Sequence, residues 1–397
     1  MKKLPLILAL TAASLCSSAQ AQSVTVYGKL YPYLEEEKGS GASPVGTVMS
    51  TLAPAATGVN LAPKVKGMSG GNSYLGFRGS EDMGGGLKAI FQLEGVTLVD
   101  NGQAAGYTFG RNTFVGIEGS FGTVKLGNMD TVFKEYGDTL GILGISSGTP
   151  VSSSNILRKA PFGTFNASRF HERRANSVRY DSADFGGVQF GAQWATQENA
   201  TTALSAATTQ SIGVKYDKGP IYASLAYEIH NNFFGGSVNA PSAQRNNGAA
   251  DTVTSRDTAW QAAFEWRFMP GQTLEFDVIK KSYHENAVAN NRFQSYNNTA
   301  YLIGYDGRFG QWRAMAHYVK ASAGSCTRLN AVCSTTGLEG NQLTAGAAYY
   351  LSKRTYVFGV YTKMTNGASA RYAANDFGSV SPGEDIRHLM AGIAHSF

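Results

Sequence analysis

From residue 23 onward the chain is built of segments of about ten residues in which apolar side chains recur at every second position, the period of a strand with two unlike faces. The clearest runs from Thr258 to Phe268: Trp260, Ala262, Phe264, Trp266 and Phe268 fall on one face, and Gln261, Ala263, Glu265 and Arg267 on the other. Val188, Phe190, Ala192 and Trp194 oppose Gln189, Gly191 and Gln193 in the same way, and the last segment groups Leu389, Ala391, Ile393, His395 and Phe397. Gly, Pro or Ser chemistry predicts seven tight turns, at 83–86, 119–122, 184–187, 218–220, 269–272, 307–310 and 352–354. Between them lie eight longer polar segments, roughly 36–70, 99–108, 131–172, 198–208, 232–255, 286–295, 324–339 and 367–385. Short and long connections alternate, so the pattern predicts sixteen strands with turns at one end and loops at the other. A closed sheet of this size is too wide to fill with side chains and encloses water. The expected fold is therefore all-β, a sixteen-stranded antiparallel transmembrane β-barrel whose Trp- and Phe-rich face meets lipid and whose polar face lines a lumen, with periplasmic turns, extracellular loops and both termini in the periplasm.

Composition agrees with strands and tight turns. The 397 residues include 47 Gly, 20 Tyr and 21 Phe, and no stretch after the N-terminus is long and apolar enough for a membrane-spanning helix. The first 21 residues read as a secretory signal peptide: Lys2 and Lys3 form the basic head, Leu4 to Leu15 the apolar core, and Ala19-Gln20-Ala21 the cleavage site before Gln22. Cys16 is discarded with it. The two remaining cysteines, Cys326 and Cys333, sit in a polar segment of an exported chain and are expected to form a loop disulfide. The mature chain carries 32 basic and 28 acidic residues, an excess too small and too scattered for nucleic acid. Its six histidines lie in no nucleophile motif and no metal-ligand spacing, and Gly84-Gly85-Gly86 separates two strands rather than opening a helix, so no enzyme, metal site or cofactor is expected.

Several segments then resemble a known family. These are Ser23 to Gly28, Ser73-Tyr-Leu-Gly-Phe-Arg-Gly-Ser-Glu-Asp-Met-Gly-Gly-Gly-Leu-Lys-Ala89, Asn112 to Gly127, Ser177-Val-Arg-Tyr-Asp-Ser182, Leu351 to Thr355 and Gly392-Ile-Ala-His-Ser-Phe397. In order and spacing they are similar to the general porins of Gram-negative bacteria, of the neisserial and burkholderial type. The resemblance implies a homotrimer of barrels in the outer membrane, each a water-filled pore for small hydrophilic solutes and ions, with the terminal Phe397 read by the barrel assembly machinery. It also implies that the third loop, 131–172, folds inward and constricts the pore.

Charges can be placed against that frame. The loop begins acidic, with Asp130, Glu135 and Asp138, and turns basic at Arg158, Lys159, Arg169, His171, Arg173 and Arg174. Strand parity turns Tyr74, Arg78, Lys29, Lys88, Glu94, Lys125, Arg179 and Lys215 toward water. Glu94 and Arg111 match a constriction glutamate and arginine of the family, although Arg111 shares the parity of the outward Val115 and needs a bulge or a rim position to turn inward. Tyr74 and Tyr31 stand where relatives carry charge. Facing rows of opposite sign create a transverse field, and the surplus of Lys and Arg predicts a weak to moderate anion preference. The alternative is a solute-selective channel with Tyr27, Tyr31 and Tyr33 as a stacking track; the same tyrosines also suit a membrane-interface girdle.

Overall fold

The computed structural model describes residues 23–62, 64–102, 108–137, 140–145, 148–163, 168–198, 206–246, 253–374 and 380–397. Asp138 and the N-terminal 22 residues lie outside the described residues. Nineteen hydrogen-bonded segments form one antiparallel sheet that closes on itself. Two of these segments, Ser23–Leu30 and Tyr33–Ser40, are halves of one strand, β1, divided at Pro32, which has no backbone N–H to give the ladder. Their partners Val65–Ser69 and Tyr74–Gly84 form β2, interrupted at the facing level. The strands that follow are β3 Leu87–Val96, β4 Thr113–Gly119, β5 Gly122–Asp130, β6 Arg173–Ser182, β7 Val188–Thr196, β8 Thr208–Lys218 and β9 Ile221–Asn231. The barrel continues through β10 Arg256–Met269, β11 Gln272–His284, β12 Phe293–Phe309, β13 Trp312–Ala321, β14 Gly340–Tyr350, β15 Thr355–Asn366 and β16 Asp385–Ser396. A short ribbon, Ser325–Arg328, lies outside this count and pairs with the far end of β12. The result is a sixteen-stranded antiparallel barrel.

Closure is made at β1 and β16, where Lys29 faces Ser396 and Leu30 faces His395. Beyond the last strand, Gly28 N–H donates to the Phe397 carbonyl at 3.2 Å and Phe397 N–H donates back to Gly28 at 3.1 Å. A Cβ on Gly28 would lie 2.6 Å from Phe397 Cζ, so the terminal ring occupies the space that glycine leaves.

The seven short connections fall where turn chemistry placed them, and Gly84, Gly85 and Gly86 have φ of +80°, +62° and +80°, conformations that L side chains rarely adopt. Segments 131–172 and 232–255 connect strands with the expected bounds. The first long loop is shorter than expected, 41–64, because Tyr33–Ser40 continues the ladder. Its Glu35-Glu36-Glu37-Lys38 run hid the strand: here even the outward face is polar, and Glu36 meets Lys66 across the pair at 3.4 Å. In the loop expected at 324–339, the ribbon joins Cys326 to Cys333 by the disulfide.

Alternate side chains sort to the two faces as the period required. Val115, Ile117, Leu126, Trp194, Ile212, Leu225, Trp260, Phe264, Trp266 and Ile303 are all exposed on the outside, a continuous apolar band suited to lipid. The inside differs from the expected uniformly polar wall. From β11 to β16 inward positions include Ile279, Leu302, Met315, Val319, Phe358, Val360, Met364 and Met390, all buried. They are buried because segment 131–172 and parts of the other loops pack against them. Ile142, Leu143, Ile145 and Val151 meet Met315, Phe358, Val360 and Met390, while Ile156, Leu157 and Phe162 join Ile279, Leu302 and Val319.

Because Leu225 stands on the lipid face near the middle of β9, Leu225→Arg is expected to destabilise the barrel by about 2–4 kcal/mol. Denaturant unfolding of the barrel refolded in bilayers measures this, and an unchanged midpoint would mean that this face does not meet lipid.

Candidate functional site

Segment 131–172 contains a helix α1, Val132–Gly137, a 3₁₀ turn, Ile142–Gly144, and a short helix α2, Ser154–Leu157. Thr131 caps α1: its hydroxyl accepts from Lys134 N–H at 3.2 Å. The helix seats against strands where the wall is bare of side chains. A Cβ on Gly191 would lie 2.8 Å from the Tyr136 hydroxyl, and one on Gly213 3.0 Å from the Tyr136 ring.

The segment is held mainly through its own backbone. Phe133 N–H donates to Ser211 Oγ at 2.8 Å, Tyr222 and Ser224 hydroxyls donate to the Tyr136 carbonyl at 2.6 and 2.7 Å, and Gln261 donates to the Phe133 carbonyl. Lys281 Nζ donates to Leu157 O at 2.8 Å, Lys29 Nζ to Gly144 O at 2.8 Å and the Tyr356 hydroxyl to Leu143 O at 2.5 Å. These partners come from β1, β8, β9, β10, β11 and β15, all from the face opposite the lipid band. Each satisfies a carbonyl or N–H that would otherwise be buried without a partner, a cost of about 1–3 kcal/mol apiece.

Ionised groups gather on β1 to β6. Glu94, buried on β3, pairs with Arg111 and accepts from the Tyr27 hydroxyl at 2.9 Å. Arg111 needs no bulge: it precedes β4, its N–H bonds to the Glu94 carbonyl at 3.0 Å, and strand parity does not govern it. Burial disfavours the charge of this guanidinium, but the Glu94 carboxylate beside it holds the pKa above its ordinary value. Its plane stacks 4.7 Å from the Tyr74 ring centre, and Arg78 stacks 4.9 Å from that of Tyr27. Tyr74 thus serves as a platform for Arg111.

A second group surrounds α1. Asp130 is held by Lys134 at 2.8 Å and by Arg173 at 3.0 Å. Arg179 meets Glu135 at 2.5 Å and Asp181 at 2.7 Å, and Lys125 also meets Asp181 at 2.7 Å. Lys215 sits over the Tyr136 ring at 4.9 Å.

Several expected placements change. Arg179 is only 2% exposed on its side chain and does not face open water; its inward parity is right, but α1 covers it. Lys88 is exposed and pairs with Glu118 at 3.7 Å beside the Gly84–Gly86 turn, away from both groups. Arg158 and Lys159 are buried and spend their donors on the Gly137 and Ala373 carbonyls, the latter at 2.7 Å, so the late part of the loop offers the lumen less positive charge than its sequence suggests. Arg169 is paired with Glu172. Asp138 lies outside the described residues. Sequence reading missed Asp181, Lys134, Arg173 and Lys281 as partners. Asp181 was legible in part, since it shares the parity of Arg179; the others depend on where the loop comes to rest. Among the described residues no group of three His, Cys, Asp or Glu could hold a metal ion.

Comparison with known proteins matches this architecture. The family model for Gram-negative porins matches residues 8–369. The chain is 28% identical over 409 aligned positions to outer membrane porin protein 32 of Delftia acidovorans, covering all of both chains. Among solved structures, an anion-selective porin from Comamonas acidovorans superposes with a TM-score of 0.68 at 23% identity, covering 95% of this chain and all of that one. OmpT of Vibrio cholerae in its trimer form gives a TM-score of 0.61 at 12% identity, covering 95% of this chain and all of that one. With the family match spanning nearly the whole barrel, the chain belongs to the Gram-negative porins, channel proteins of the outer membrane rather than enzymes.

Proposed function

We propose that this porin is an anion-preferring diffusion pore for small hydrophilic solutes, with segment 131–172 as its constriction. The observation that carries the reading is the charge balance around that segment. Lys29, Arg78, Arg111, Lys125, Lys134, Arg173 and Arg179 stand against Glu94, Asp130, Glu135 and Asp181. Every one of these carboxylates is engaged by a cation, while Arg78 has no carboxylate partner among the described residues and remains exposed. A water-filled passage walled by low-dielectric protein with surplus positive charge enriches anions and raises their flux. The Glu94–Arg111 pair and the Arg179–Glu135–Asp181 pairs spend their charge on fixing the wall and the segment, which keeps the preference moderate. Arg78 in contrast can meet a hydrated anion directly.

The anion-selective porin with the same fold supports this sign of selectivity. OmpT in its trimer form supports assembly as a homotrimer. Phe397, seated on Gly28 at the closing seam, is the C-terminal aromatic through which we expect the assembly machinery to act. Residues 1–21 we assign to the cleaved export signal.

In planar bilayers under a salt gradient, the wild-type reversal potential is expected on the anion side, and Arg78→Gln should lower the anion-to-cation permeability ratio about twofold. A cation-side potential would overturn the proposal. Lys281→Met removes the donor under Leu157 and is expected to loosen the constriction, seen as larger or noisier single-channel steps; steps identical to wild type would place the narrowing elsewhere. Intact-mass measurement of protein from outer membranes should find Gln22 at the N-terminus, and a retained leader would refute the cleavage assignment.

A further inference from the structure

Between segment 131–172 and the turn-side mouth lies a cavity of about 500 Å³ that the charge groups above do not include, apart from Lys29 at its edge. Leu143 and Gly144 roof it, and the turns after β12 and β14 form its walls. Among the described residues five cations line it, Lys29, Arg308, Arg313, Lys353 and Arg354, and no carboxylate does. Asp306 binds Arg313 at 2.9 and 2.7 Å and thereby compensates one of the five.

Sheet pairing does not explain this arrangement. Arg308 and Arg313 stand directly opposite each other on β12 and β13, a placement that like-charge repulsion disfavours. Both share the inward face with Asp306 and Met315, while Phe309 and Trp312 are exposed on the lipid face. Lipid headgroups on that outer face are thus not their natural partners. The two ends of the cavity are also stiffened by rings: Arg308 lies 5.1 Å from the Tyr350 centroid and Lys29 5.3 Å from that of Tyr356. These contacts hold the Arg308 guanidinium and the Lys29 ammonium at the cavity wall, with Lys29 also donating to the Gly144 carbonyl at 2.8 Å.

We infer that this cavity is a second anion subsite at the periplasmic mouth, taking small oxyanions that carry two or more negative charges, such as phosphate esters or polycarboxylates. It rests on the anion-pore reading for its place in the permeation path. Attraction scales with the charge on the ligand, so a multivalent oxyanion is retained where chloride passes, and guanidinium forks match paired oxygens. The subsite would collect such solutes after the constriction and set their release on the periplasmic side.

The test is titration calorimetry of inorganic pyrophosphate into the folded barrel in a nonionic maltoside detergent at low salt, which removes lipid phosphate from the comparison. Saturable binding is expected, weakened about tenfold or more in Arg308→Gln/Lys353→Gln and less than about twofold in Arg78→Gln. Lys353→Gln alone, in an exposed turn, guards against misfolding of the double variant and should weaken binding about threefold, with the folded barrel checked by its unheated gel mobility. No saturable binding, or an equal loss in Arg78→Gln, would overturn the subsite. The salt-gradient reversal potential separates the two readings: an anion-side potential without pyrophosphate binding loses the subsite and keeps the pore, whereas binding with a cation-side potential keeps the subsite and loses the pore's selectivity.

Discussion

In a hydrocarbon environment an unpaired backbone N–H or C=O has no water to turn to, and this requirement dictates the rest of the molecule. A sheet meets it only by leaving no edge. Here the last edge is removed where β16 meets β1, and the two hydrogen bonds between Gly28 and Phe397 carry pairing to the final residue of the chain. Once the ladder is closed, each strand must offer one face to lipid and one to the interior. The outward band of Val, Ile, Leu, Phe and Trp follows from that. Where the strands run past the hydrocarbon the rule relaxes, and Glu36 and Lys66 can pair on the outer face.

The interior is organised by a second instance of the same requirement. A long loop inside a barrel brings its own peptide groups away from bulk water, and the wall has to supply their partners. Lys281, Gln261, Tyr222 and Tyr356 do so by donating to carbonyls of segment 131–172, and from within the segment Arg158 and Lys159 donate to the Gly137 and Ala373 carbonyls. Several cations are therefore structural groups, and ionisable side chains within the barrel divide into those that fix the loop and those that remain free to act on solutes. The half of the wall from β11 to β16 takes the loop's apolar side chains, which is why its inward positions are themselves apolar. A polar wall on one side and a packed core on the other within one barrel gives a pore whose charged surface is held by a rigid backing.

Much of this was legible in the sequence because it is local. Trp260, Phe264 and Trp266 against Gln261 and Glu265 define a two-faced strand by spacing alone, and the glycines at 84–86 define a turn by their backbone freedom. Strand number, turn positions, the bounds of 131–172, the disulfide partners and the inward parity of Arg78, Glu94 and Lys125 all follow from such short-range rules. What parity could not decide is what lies above an inward side chain. Arg78 and Arg179 read alike along the chain, yet one is exposed and the other is sealed beneath α1 between Glu135 and Asp181. Within the loop, Arg158 is likewise buried and donates to the Gly137 carbonyl, a partner that its place in a basic run did not foretell. The sequence by itself determined the barrel, since a period of two and the position of glycines act over a few residues. The tertiary structure alone decided which charges face the passage, because electrostatic partners are chosen across distances in sequence that only the path of the loop can bring together.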